Sequence, residues 1–474
     1  MKSSIDVISR GGILRRISAL SLLALAALAV WQAVVLAHRE TTQSVTLYSP
    51  DPSDILNRLY DTLLIREDRQ GKRLGEDSLD PLLWFESEHL LSEPSHRQAI
   101  QILDEFLNTH ADEQIRDPLK KAVMQRDLWA VFDWSVFQQS ANNHPAYEKE
   151  KRELQVRLSE VLRRLALTPQ EIKALPDNYA QAVVSGTFGK TYDQSHTERP
   201  FLPPDLFDPH GPWVGITPSP ESDSGVAKMH IFNFSGRSGF LVFVNLPGGR
   251  KATYDYLQSL WRFPQPYVQG PSFADDQALV NPDLPSFPVG TQVALVRRMT
   301  LIDRQGGLEA SPLTESVQIR VYHAITNTEE RNFGSGNVDE IVRRTGQDFY
   351  EFRLSRPLLF SAKNGGLRAI GPEEKEFSTF QTKGNDPIES PSDKPQFESN
   401  AIPVVKTCAW CHSGGGVRSL NSRESLLRPN RMQKEPENPD YGPVYWDDSA
   451  ALAWKQNRYD WGLLNGYWNA ARAH

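Results

Sequence analysis

The hydrophobic positions within residues 51–186 recur at the spacing of amphipathic helices. Leu154, Leu158 and Leu162 lie four residues apart in a run that is rich in Arg, Glu and Lys. Such an apolar stripe on a polar segment is typical of a helix that buries one face. A second run, residues 118–141, begins with proline and carries large apolar side chains throughout. We therefore predict a helical domain over residues 51–186.

Two capping boxes mark helix starts in this region. Ser95 is followed three residues later by Gln98. Thr168 is followed by Glu171, with Pro169 at the first helical position. In each pair the hydroxyl can accept a hydrogen bond from a backbone amide, and the longer side chain can reach back to the cap. Both pairs therefore predict the beginning of a helix.

Residues 200–380 change to short runs rich in β-branched and aromatic residues, separated by glycine-containing turns. This pattern is typical of antiparallel strands, and residues 253–262 interrupt it as a short predicted helix. The predicted strands are Lys228–Phe234, Phe240–Leu246, Val289–Ile302, Val317–Ile325, Phe349–Leu354 and Leu358–Ser361. We predict a β-rich domain here, and the chain as a whole is predicted to be an α+β protein.

Residues 1–38 have the pattern of a signal-anchor transmembrane helix. A basic stretch precedes the 21 uncharged residues Ile17–Ala37, which are enough to cross about 30 Å of hydrocarbon as a helix. A buried core helix is the alternative, and it fits an extreme terminus poorly. The positive-inside rule orients everything after His38 away from the cytoplasm. The expected location is a bacterial inner membrane, facing the periplasm, or the periplasm itself if the signal is cleaved.

The composition agrees with a folded protein that does not bind nucleic acid. Hydrophobic residues make up 39% of the chain, which supports sizeable cores. The 52 basic and 59 acidic residues give a net charge of -7, so there is no basic excess of the kind that nucleic-acid binding requires.

The only two cysteines lie in one short motif, Cys408-Ala409-Trp410-Cys411-His412. The C-x-x-C-H spacing indicates covalent haem attachment, since two thiols can add to the two vinyl groups on one porphyrin edge. The adjacent His412 is then placed to ligate the iron. Such attachment occurs outside the cytoplasm, which agrees with the predicted export.

These residues resemble the attachment motif of c-type cytochromes. The resemblance covers five residues and the export signal, and it implies one covalently attached haem c on Cys408 and Cys411 with His412 as proximal iron ligand. Residues 401–474 are therefore predicted to be a haem-binding segment. In the commonest cytochrome layout a helix leads into the motif, whereas here the approach, residues 402–407, reads as extended.

Two other readings of the motif remain open. A zinc site needs four ligands, and adjacent Cys411 and His412 form an awkward pair for a tetrahedron. A redox dithiol needs its motif at the start of a helix in a βαβ unit, and Gly414-Gly415-Gly416 argues against a helix after the motif. An exported cysteine pair can also form a structural disulfide.

The far side of the iron has several candidate ligands. Met432 is the only methionine after the motif, and Met/His ligation is common in cytochromes c. Met229, His230 and His323 become candidates if the β-rich domain packs over the haem. An iron with an open face is a further alternative.

Four tryptophans recur every seven or eight residues near the C-terminus, and predict an apolar stripe that covers the haem edge or docks on a neighbouring domain. They are Trp446, Trp454, Trp461 and Trp468.

The function expected from these features is electron transfer to a periplasmic or membrane redox partner. A sixth ligand on the iron would distinguish electron transfer from catalysis or sensing, because it prevents small molecules from binding to the iron. The alternatives are a haem enzyme with an open distal site, acting on peroxide or a small nitrogen compound, and a haem-based sensor.

Overall fold

In the computed structural model, residues 51–186 form helices, as their hydrophobic spacing predicts. The structure describes residues 45–68, 71–84, 87–138, 147–216, 225–269, 278–325, 346–377, 388, 401–420 and 448–471. The helices of the first half are α1 Ile55–Leu64, α2 Ser95–Asn108, α3 Ala111–Gln114, α4 Pro118–Phe137, α5 Glu148–Leu165, α6 Pro169–Lys173 and α7 Asn178–Ser185. A short ribbon, β1 Arg66–Glu67 and β2 Arg73–Leu74, separates the first two helices.

Local side-chain hydrogen bonds set several of these helix starts. The predicted capping box of α6 is present, because the Glu171 amide donates to Thr168 Oγ1 at 3.1 Å and Glu171 accepts in return. The predicted box at Ser95 is wrong. Pro94 is the capping residue there, and the Ser95 hydroxyl donates to the Ser92 carbonyl instead.

The β-rich region contains a six-stranded antiparallel sheet, which confirms the α+β class. Its spatial order is β10-β9-β8-β7-β4-β3, with every neighbouring pair antiparallel. The strands are β3 Val214–Gly215, β4 Ser238–Asn245, β7 Gln292–Ile302, β8 Leu308–Tyr322, β9 Gln347–Leu354 and β10 Leu367–Ala369. Two further ribbons are β5 Tyr267–Gln269 with β6 Ala278–Val280, and β11 Lys375–Phe377 with β12 Ala401–Pro403.

Two predicted strands are wrong because they are helices. Residues 228–233 form α8, Lys228–Asn233, and residues 356–360 form α10, Arg356–Phe360. Apolar runs this short suit either a strand or a buried helical turn, so neighbouring structure decides between them. In α10 a proline in the first turn favours the helix. The short helix predicted at residues 253–262 is present as α9, Gly249–Trp261.

The sheet is buried on both faces, and β4 shows why its sequence is almost wholly apolar. Phe240, Val242 and Val244 pack into one core with α9 and with residues that follow the cysteine motif. Leu241 and Phe243 alternate with them and pack into a second core, beside α7. Successive strand residues point to opposite faces, so this strand supplies both cores.

Of the C-terminal helices, α12 Ser449–Gln456 lies against strands β4 and β8, and α13 Tyr459–Ala470 lies against helices α4 and α5. Trp461 and Trp468 are buried, and the Trp461 ring lies 6.1 Å from that of Trp129 in α4. Trp461 therefore docks on the helical region, and the Trp468 indole lies beside Gly306 in the turn between β7 and β8. Trp446 lies outside the described residues.

A buried network of opposite charges joins the helices to the sheet. Asp80 lies 3.0 Å from Arg297 of β7 and 3.2 Å from Arg126 of α4. Glu315 of β8 lies 3.0 Å from each of the same two guanidinium groups. The described parts of the predicted domains therefore share one polar core, and the predicted boundaries near residues 186–200 and 380–401 stay predictions.

In the described part of the chain, no helix combines the length and apolar character that a membrane span requires. The predicted anchor of residues 1–38 lies outside the described residues.

Replacement of Lys455 should destabilise the fold strongly. Its ammonium group is fully buried between two carboxylates, 2.7 Å from Asp133 and 2.6 Å from Asp460. Lys455→Met removes the cation that the two carboxylates share and leaves them only Arg237 and Arg458. Removal of one partner of a buried ion pair typically costs about 3–5 kcal/mol. The matched control is Lys251→Met, which removes an exposed pair with Asp255 and should cost less than about 1 kcal/mol. Equal losses in urea unfolding would contradict the structural role of Lys455.

Acid should weaken the same network. Burial alone would raise the pKa of Asp80, but Arg297, Arg126 and Arg237 outweigh it and hold that pKa well below its ordinary value. A carboxylate with a lowered folded pKa stabilises the protein above about pH 3.9, and this stabilisation is lost as the pH falls further. Asp80→Asn should lower stability at neutral pH and flatten the loss in acid, measured by urea unfolding across pH. The exposed Asp255→Asn is the matched control for loss of a carboxylate, and a slope in Asp80→Asn as steep as that of the unsubstituted chain would refute the assignment.

Candidate functional site

The cysteine motif lies at the end of a helix. Strand β12 ends at Pro403, and α11, Val404–Cys411, follows at once. The expectation of an extended approach over residues 402–407 is therefore wrong beyond Pro403. The Thr407 hydroxyl donates to the Pro403 carbonyl at 3.2 Å and steadies the first turn. A helix thus leads into the motif, as it does in the commonest cytochrome layout.

The two thiols project from adjacent turns of one helix face, since residues three apart in a helix are neighbours. Cys408 is half-buried, Cys411 is exposed, and neither forms a disulfide. Burial raises the pKa of both thiols. Their place at the carboxyl end of α11 also disfavours a thiolate, because that end of a helix carries partial negative charge. A redox dithiol needs the opposite environment, so this geometry argues against that reading.

The imidazole of His412 is buried and held in one orientation. Its Nδ1 lies 2.8 Å from the Ser419 carbonyl oxygen. A carbonyl can only accept, so Nδ1 carries the proton and the neutral ring leaves Nε2 with its lone pair. No described residue hydrogen-bonds to that Nε2. Ligating histidines commonly show this arrangement, in which the second nitrogen donates to a carbonyl and fixes the ring.

The Ser419 carbonyl is itself fixed by strand β8. Arg320 donates to the carbonyl at 3.3 Å and to the Ser419 hydroxyl at 3.1 Å. The Tyr322 hydroxyl also bonds to the Ser419 hydroxyl, which in turn donates to the Gly416 carbonyl at 2.8 Å. The acceptor of the His412 proton is therefore anchored to the centre of the sheet.

A tight turn brings Ser419 back to His412. Gly416 has φ = +53°, a left-handed conformation that favours glycine, and a Cβ there would collide with the Ser286 hydroxyl. Val417 and Leu420 follow in the core on one face of the sheet. The Gly414–Gly416 run thus prevents the helix from continuing beyond Cys411 and turns the chain so that Ser419 lies beside His412.

A second histidine lies beside the first. The rings of His230, in α8, and His412 are 6.4 Å apart between centroids, and their planes are within 4° of parallel. His230 is partly buried, and its ring lies 5.3 Å from that of Phe240. No hydrogen bond links the His230 ring to any described residue.

Both imidazoles are neutral at neutral pH. Burial, with the charges of Arg297 and Arg320, lowers the pKa of His230 to about 4. Burial and the Arg320 charge also hold the pKa of His412 well below its usual range, although its bond to Ser419 acts in the opposite direction. A neutral imidazole is the form that binds a metal ion.

The other candidate ligands do not join this pair. Met229 is 67% exposed. The His323 side chain is 41% exposed, and its Nδ1 pairs with Asp348 at 3.2 Å. Met432 lies outside the described residues. Among the residues that the structure describes, no group of three or more His, Cys, Asp or Glu could hold a metal ion.

Sequence reasoning missed the residues that hold the site. Ser419 and Arg320 act through tertiary contacts and belong to no local motif. The side-chain amide of Gln347, in β9, donates to the His412 carbonyl at 3.1 Å. No sequence pattern indicated this contact either. His230 was one of three candidates in the β-rich domain, with Met229 and His323, because the sequence alone does not show which of them approaches the motif. The C-x-x-C-H spacing was the one local signal.

No protein-family model, curated protein or solved structure matches this chain.

Substitution of Gly416 should destabilise the turn that holds His412. Gly416→Ala forces a left-handed conformation on a residue with a Cβ, which costs about 1–2 kcal/mol before any collision with Ser286. The matched control is Gly462→Ala in α13, where a Cβ meets nothing and the helix should gain about 0.5–1 kcal/mol. Thermal unfolding should shift in opposite directions for the two variants. A shift in the same direction would contradict the strain at Gly416.

Proposed function

We propose that this chain is an exported c-type cytochrome that carries one covalently attached haem and transfers electrons. One observation carries the proposal. Two cysteines that form no disulfide and a histidine whose Nδ1 bonds to a carbonyl, leaving the lone pair on Nε2, lie together at the end of one helix. Covalent haem attachment needs these groups in this order.

The residues present fit the roles that a haem requires. Cys408 and Cys411 are not joined in a disulfide, so both sulfur atoms are reduced, as thioether formation requires. His412 is neutral and oriented by Ser419 before any metal binds, which reduces the ordering that ligation would require. When bound, a haem iron supplies one-electron chemistry by alternating between its ferric and ferrous states.

Electron transfer is favoured over catalysis by the surroundings of His412. The His230 ring lies 6.4 Å from the His412 ring, and Ser419, which Arg320 of β8 holds, fixes the His412 ring. A site whose groups are held in place suits electron transfer because little has to move when the charge changes. The partner proposed is a periplasmic or membrane redox protein, reached from an N-terminal membrane anchor.

The haem content of the full chain tests this proposal. We expect the chain, exported in a host that attaches haem c, to retain haem through denaturing electrophoresis and to give a thioether-type pyridine haemochrome. Cys408→Ala with Cys411→Ala should abolish covalent haem, and the exposed Thr187→Ala should retain it. Absence of covalent haem from the unsubstituted chain would refute the proposal. If haem is attached but the iron binds carbon monoxide or cyanide promptly, the electron-transfer part fails and a haem enzyme or sensor is favoured.

A further inference from the structure

The parallel pair of His230 and His412 has the geometry of two ligands on one metal. An imidazole nitrogen binds a first-row metal at about 2 Å, and each ring centre lies about 1 Å beyond its nitrogen. Two imidazoles on opposite sides of one iron therefore have centroids about 6 Å apart. The observed separation is 6.4 Å.

Simple ring stacking explains this pair less well. Aromatic pairs span about 4.5–7 Å between centroids, and parallel rings near the upper limit share little contact. The pair also leaves ring nitrogens without a hydrogen-bonding partner in the described part of the chain. The centroid separation and the parallel planes therefore fit two ligands of one metal better than a stacked pair.

The elements that carry the two rings are fixed independently. His230 lies in α8, which the buried Ile231 anchors to the core that also holds Phe240. His412 follows α11 and is held through Ser419. The two elements are far apart in sequence and meet at the same sheet, so their approach is a property of the tertiary fold.

We propose that His230 is the sixth ligand of the haem iron, opposite His412. This inference rests on the proposed function. It replaces Met432 as the distal ligand and disfavours His323, which is exposed and paired with Asp348. A second histidine closes the iron to small molecules, as electron transfer requires. It also gives a lower reduction potential than a methionine would, because Met/His ligation raises the potential.

Substitution of His230 tests the ligand directly. The full chain carrying haem should show a low-spin absorption spectrum, and its near-infrared magnetic circular dichroism should have the band position of bis-histidine iron. His230→Ala should convert the iron to a high-spin form that binds carbon monoxide promptly. His230→Met should keep the iron low-spin, move the near-infrared band to the Met/His position and raise the midpoint potential.

Two control variants identify the alternatives. His323→Ala and Met432→Leu should leave the spectrum and the potential unchanged. The inference is overturned if His230→Ala remains low-spin, or if Met432→Leu or His323→Ala becomes high-spin. Pyridine haemochrome content, measured on every variant, separates this failure from failure of the proposed function. Covalent haem with an unchanged spectrum in His230→Ala refutes only the ligand, whereas loss of covalent haem from the unsubstituted chain refutes the function.

Discussion

The architecture depends on a set of charges that the fold removes from water together. Buried cations from the helices, the sheet and the C-terminal helices meet buried carboxylates from the same three regions. They are Arg126, Arg237, Arg297 and Lys455 with Asp80, Asp133, Glu315 and Asp460. Burying an unpaired charge costs free energy, and removal of one partner of a buried ion pair leaves the other buried without its counter-charge. The network therefore ties distant segments into one arrangement, because none of them can leave without exposing or isolating a charge.

The same network reaches the candidate site through aromatic contacts. The Arg297 guanidinium lies 3.5 Å from the centre of the Phe234 ring, which stacks on Phe240. Phe240 in turn contacts the ring of His230. Arg320, in strand β8 next to β7, hydrogen-bonds to Ser419, which in turn accepts the hydrogen bond from His412. The neighbouring strands β7 and β8 thus position both imidazoles, His230 through Arg297 and the two phenylalanines, and His412 through Arg320 and Ser419.

The sequence predicted what local patterns encode, and missed what only the tertiary structure decides. The spacing of Leu154 and Leu158 and the Thr168 capping box were sufficient for α5 and α6, since helix periodicity and caps are local. The run at residues 228–233 was misassigned because six residues carry too little periodicity to separate a strand from a helix. Ser419 could not be found, because a backbone carbonyl has no sequence signal. The ion network was also hidden, since its members look like ordinary surface charges until they are buried.

The environment of His412 selects one chemical form of its ring. Burial and, next, the charge of Arg320 lower the pKa of His412 and disfavour imidazolium, and the Ser419 carbonyl holds the remaining proton on Nδ1. Together they leave an uncharged ring with a lone pair on Nε2, the form that binds a metal without first releasing a proton. A histidine that served only to fill the core would need neither the cation nor the fixed tautomer. The placement of Arg320 therefore connects the stability of the sheet to the chemistry that the C-x-x-C-H motif predicts.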